Sequence, residues 1–138
     1  MNIQTQSMFK PDGSVVQLID ILNTVSGNEL KWSILYFYGI GKAPNSLSME
    51  EFERKIQSEK FGFTMTWTEL KKFANELEQT FACVVAGFKQ NDAIDKNKIL
   101  NGDNDGFEIF IEAFDSEEWK IKINSQIPGI KLSNNYNY

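Results

Sequence analysis

Histidine is absent from this chain, and cysteine occurs once. The first absence removes serine–histidine and cysteine–histidine nucleophile pairs, and with them the commonest zinc ligand. The second excludes a disulfide within the chain. Cys83, set in the apolar run Phe81–Phe88, reads as an inert core thiol. No stretch approaches the roughly 18 consecutive apolar residues of a membrane span. The opening MNIQTQSMFKP lacks the basic region and apolar run of a secretory signal. The expected compartment is therefore the cytoplasm, with no membrane partner. Chemistry that uses carboxylates alone stays open.

What is present is ordinary in amount and uneven in place. A length of 138 residues fits one domain, and 41% apolar with 24% charged residues suits a packed core. Eleven Phe, three Trp and four Tyr give that core, or a binding face, large aromatic area. The net charge of −5 is concentrated. Residues 90–118 hold nine acids against Lys96 and Lys98, a balance of −7. An acidic surface repels nucleic acid and steers a basic partner; solvated acidic loops have the same composition.

The stretch Met65–Phe88 organises the chain. Thr66-x-x-Glu69 is a capping box, and Met65 with Leu70 stand where a hydrophobic staple sits. Trp67, Leu70, Ala74, Leu77 and Phe81 then recur at helical spacing. The uncharged run Phe81–Phe88 reads as an interior strand covered on both faces. Two more boxes are Ser14-x-x-Gln17, opening a helix through Val25, and Ser48-x-x-Glu51 with Leu47 and Phe52 as its staple. Leu30–Tyr38 alternates as a strand, placing Trp32, Ile34, Tyr36 and Tyr38 on one face with Leu35 and Phe37 on the other. Gly39–Ser46 reads as a loop, and Phe61–Met65 as a linker or short edge strand.

Lys89–Gly106 reads as an exposed loop. Gly106–Ala113 and Trp119–Ile123 alternate, and pairing Ile111 with Ile121 gathers their apolar positions and sets Glu112 opposite Lys120. The expected fold is α+β: an antiparallel or mixed sheet of about four strands with three helices packed on it, in a single domain. Residues 1–13 read as a flexible N-terminal segment, 14–127 as the domain and 128–138 as a mobile polar tail.

Three patterns bear on chemistry. Asn101-Gly-Asp103-Asn-Asp105-Gly106, with Glu112 five residues on, matches a calcium loop except at its first position. Such a loop exits into a helix, whereas Phe107–Ala113 alternates like a strand, so a plain Asp/Asn/Gly-rich connection explains it; no metal or cofactor is expected. Gly39-Ile-Gly41 lacks the third glycine and following helix of a phosphate-binding turn. Glu108 and Glu112 share a strand face about 13 Å apart, beyond the roughly 5–9.5 Å of glycosidase pairs. They read as members of cross-strand ion pairs. Phe110 between them either lies beneath a loop or anchors a partner.

The strand Lys31-Trp-Ser-Ile-Leu-Tyr-Phe, the Ser48-Met-Glu-Glu-Phe helix, and Thr66-Trp-Thr-Glu-Leu with Leu77-Glu-Gln-Thr-Phe and Val84-Val-Ala-Gly form a pattern over residues 14–123. It resembles small bacterial immunity proteins of polymorphic toxin systems. The resemblance implies a cytoplasmic, acidic, non-catalytic domain that neutralises a cognate toxin, such as a nuclease, by binding it. It carries over no site. From the charge balance, the expected partner surface is Asp103, Asp105, Glu108, Phe110, Glu112, Asp115, Glu117 and Glu118. The alternatives are a calcium-binding or regulatory module built on Asn101–Glu112, or a carboxylate-based enzyme.

Overall fold

The computed structural model describes residues 1–114 and 117–124. Along the chain these form β1 (Asn2–Ser7), α1 (Leu18–Leu22), β2 (Lys31–Gly41), a 3-10 turn (Pro44–Ser46), α2 (Met49–Ser58), β3 (Phe63–Met65), α3 (Trp67–Asn75), β4 (Leu77–Phe88), α4 (Lys96–Leu100), β5 (Ile109–Phe114) and β6 (Glu118–Ile123). The fold is α+β. All six strands join one antiparallel sheet in the order β1-β6-β5-β4-β2-β3. Two more strands and one more helix are present than the sequence pattern implies. The expected tail, 128–138, lies outside the described residues.

Two capping boxes start the principal helices as read. In α3 the Glu69 carboxylate accepts from Thr66 N–H at 2.9 Å while Thr66 Oγ1 accepts from Glu69 N–H at 3.2 Å. In α2 the reciprocal Ser48–Glu51 bonds are both 3.1 Å. The first helix differs. The Ser14 hydroxyl turns back to Asp12, and the cap is Gln17, whose N–H donates to Asp20 at 2.8 Å. One short helix results, Leu18–Leu22, rather than one running to Val25.

The organising helix stops at Asn75, so Leu77 and Phe81 belong to β4. Pairing with β2 takes them. The Glu76 carbonyl accepts from Lys42 N–H at 3.1 Å, and β2 runs on through Gly39, Ile40 and Gly41 against Thr80, Gln79 and Leu77. Both glycines are needed there: a Cβ on Gly39 would lie 2.4 Å from the Gln79 carbonyl oxygen, and one on Gly41 2.7 Å from Leu77 Cα. What reads as a glycine loop is therefore strand.

The N-terminal segment, expected to be loosely held, contains the edge strand β1, paired with β6 from Asn2↔Ile123 to Ser7↔Glu118. Its backbone bonds hold it, since most of its side chains are exposed.

The sheet has two covered faces. On the inner face, α1, α2 and α3 pack over Trp32, Ile34, Phe37, Cys83, Val85, Ile109, Ile111, Trp119 and Ile121. An aromatic knot ties the helices down: Phe52 lies 5.1 Å from both Phe63 and Phe73, and Phe37 is 5.3 Å from Phe73. Both fully buried indoles find acceptors, Trp32 at Asn28 Oδ1 (2.9 Å) and Trp119 at the Val16 carbonyl (3.0 Å). Cys83 is buried, and desolvation pushes its thiol up to about 12. On the outer face, residues 89–108 with α4 form a small lid. Ile94, Ile99 and Phe107 of the lid close over Leu35, Val84, Ala86, Phe88 and Phe110.

Candidate interaction surface

The lid covers only one end of the outer face, and a β-bulge determines what is left open. Ile34 pairs with Val85 but Tyr36 pairs with Val84, so Leu35 is an extra residue on β2. An extra residue inverts the alternation beyond it. Trp32 and Ile34 share a face as read, the one that the helices cover, but Phe37 joins them, and Tyr36 and Tyr38 are turned to the outer face. Nothing in Ile34-Leu-Tyr-Phe marks this shift of phase, because every residue in it is apolar or aromatic. The assignment of Tyr36 and Tyr38 to the face of Trp32 is corrected accordingly.

Beyond the lid the outer face therefore presents Tyr36 (41% exposed), Tyr38 (55%) and Ile40 (48%) from β2, and Phe114 (56%) from β5. Phe81, the extra residue of a second bulge on β4, sets its ring 5.1 Å from that of Tyr38. Two rows cross the sheet here. One runs Tyr36, Val84, Glu112, Lys120, Thr5. In the next, Tyr38 pairs with Ala82 and Phe114 with Glu118, and Glu118 with Ser7. Phe114 follows the last β4–β5 pair, Cys83↔Ala113, and so adjoins Ala82.

The residues read as a partner surface are not brought together. Asp103 and Asp105 lie on the lid, fastened to the end of β6 by Lys122 Nζ and Asn124 Nδ2, which donate to the Asn104 side-chain and main-chain oxygens at 2.8 and 2.7 Å. Glu117 and Glu118 stand at the opposite end of β5, which spans about 17 Å at 3.4 Å per residue. Glu108 pairs with Lys89 at 3.5 Å. Glu112 faces Lys120, in the expected register. Asp115 lies outside the described residues.

Phe110 requires a correction. It is 4% exposed, with the Phe107 ring 5.5 Å away and Lys122 Nζ 4.7 Å above its own ring. A ring so covered offers a partner nothing. Of the two readings of Phe110, burial beneath a loop is the one that holds.

The acidic loop itself is locally satisfied. Asp103 Oδ1 accepts from Asp105 N–H at 3.1 Å, an Asx turn, and the chain then enters β5. Glu112, the twelfth residue of the calcium pattern, is carried into the sheet opposite Val84. Among the described residues no three His, Cys, Asp or Glu side chains are grouped to hold a metal ion.

A separate cleft of about 660 Å³ lies between residues 42–47, β3 and α3. Lys42, Lys72, Glu69 and Glu76 line it with balanced charge, and Asn45 and Ser46 at its rim have φ of 57° and 60°. The exposed rings of the outer face are the more informative feature, since large aromatic side chains left in water on a sheet mark contact surfaces. Comparison with protein families, curated proteins and solved structures returns no match.

Proposed function

We propose that this chain is an immunity-type protein of the cytoplasm that neutralises a cognate toxin domain by binding it. The observation that carries the reading is the cluster of exposed rings, Tyr36, Tyr38 and Phe114, on the part of the sheet that the lid leaves open. Tyrosine and phenylalanine supply large contact area at small entropic cost. A partner seated there would desolvate them within a polar rim. The resemblance to immunity proteins names the class of partner, and the acidic balance of residues 90–118 suits a basic toxin such as a nuclease.

The test is co-expression with the toxin domain that this reading places in the neighbouring gene. The expected result is survival of the host and a one-to-one complex on size-exclusion chromatography. Toxicity undiminished by the folded protein, with no complex formed, would overturn the proposal.

A further inference from the structure

The two rows of the open face have a shape and a charge that select one kind of side chain. Tyr38 and Phe114 flank Ala82, which is small and partly exposed. With strands about 4.8 Å apart, the two rings rise from backbones roughly 10 Å apart. On the strand between them Ala82 contributes only a methyl group, and beside it the Phe81 ring packs on Tyr38 at 5.1 Å, so the place over Ala82 takes at most one flat group. The charged residues on these rows are Glu112, Lys120 and Glu118, two carboxylates to one ammonium. The chain already sets cations over rings at Lys122–Phe110 (4.7 Å) and Lys31–Phe88 (5.1 Å).

From this geometry we infer that the open face takes a basic protein surface and seats one of its arginines over Ala82. The guanidinium stacks between Tyr38 and Phe114 while Glu118 and Glu112 supply the countercharge. Arginine fits better than lysine because its charge is planar and weakly hydrated, so it can stack and still donate hydrogen bonds to carboxylates. Charge complementarity points to this occupant: a neutral apolar partner would leave both carboxylates desolvated, and an acidic one would meet them as like charges. The inference rests on the protein-binding reading above and deepens it.

A titration of the ¹⁵N-labelled protein at low salt tests it, with hexa-arginine, hexa-lysine and hexa-glutamate peptides as separate arms. Hexa-arginine should shift the resonances of Tyr38, Ala82, Phe114 and Glu118 most. Hexa-lysine should shift them several-fold less, and hexa-glutamate not at all. Ala82→Leu fills the floor and Phe114→Ala removes one wall at an exposed position; each should abolish the response while the remaining spectrum stays dispersed. Equal shifts from both cationic peptides, shifts centred on Asp92–Asp105, or titrations unchanged in the Phe114→Ala protein would each overturn the inference. Because the probe is a peptide, the outcomes separate. If hexa-arginine binds as described but the toxin is not neutralised, the functional reading fails alone. If the toxin is neutralised without these shifts, the arginine seat fails alone.

Discussion

Gly87 lies beneath the Trp32 indole, and a Cβ there would stand 3.0 Å from three ring atoms. The ring cannot swing aside: it is fully buried, its N–H is held by Asn28 and Trp67 stacks 5.1 Å away. Gly87→Ala should therefore destabilise the fold by about 1–3 kcal/mol in urea melts. Gly27→Ala, with nothing within 4 Å of the added carbon, should stay within about 0.5 kcal/mol of the parent. A second prediction concerns pH. Hydrogen bonds from the Ser48 backbone and then its side chain hold the Glu51 carboxyl below its ordinary value of 4.5. A depressed folded value means stabilisation that is present above the unfolded value and lost as pH falls through the folded one. Stability should thus gain an acid-side slope below about pH 4.5 from this group. Glu51→Gln should lessen that slope, and an unchanged slope would contradict the assignment. At this scale much was legible from sequence. The Ser48–Glu51 and Thr66–Glu69 boxes are local chemistry, complete within four residues, and both form as read. The Leu35 bulge was not legible, because the ladder of β4 imposes it from outside the segment.

Among the elements, α4 was missed although it carried a signal. Asp95 caps it by accepting from Lys98 N–H at 3.1 Å, and Ile94 and Ile99, at the two staple positions, are both buried. Its polar surroundings masked that pair. β1 carried no such signal, for Asn2–Ser7 has no apolar alternation and is held through β6. The end of α3 was misplaced because helical spacing continued through Leu77 and Phe81 while β2 competed for the same backbone. The lid is tied to the helix layer by one cation. Lys96 Nζ donates to the carbonyls of Ile56, Gln57 and Glu59 at 2.6, 3.1 and 3.2 Å, at the C-terminal end of α2. A cation there meets unsatisfied carbonyls and the negative end of the helix dipole. Lys96→Met should cost about 1–2 kcal/mol and speed amide exchange in the last turn of α2 before the sheet opens. Exchange in that turn unchanged from the parent would show that the clamp contributes nothing.

For the molecule as a whole, the sequence specified the α+β class and the inner core better than the outer face. The Ile111↔Ile121 register, with Glu112 opposite Lys120, forms as the alternation requires, because a slip would exchange a buried face for an exposed one. The described residues chosen for a partner surface by charge count do not gather into one patch. Residues adjacent in an acidic segment separate in space when a strand runs through them, and Phe110 is buried by the lid that the same segment forms. The open rings come instead from β2 and the end of β5. The proposal that these rings anchor a toxin domain is tested most directly by the dissociation rate of the two proteins. Tyr38→Ala and Phe114→Ala should each speed dissociation by roughly 30-fold, the equivalent of about 2 kcal/mol for an anchor residue. Glu117→Lys with Glu118→Lys should mainly slow association, and added salt should diminish that effect. Ring variants that remain folded and leave the toxin at the parent's rate would contradict the account.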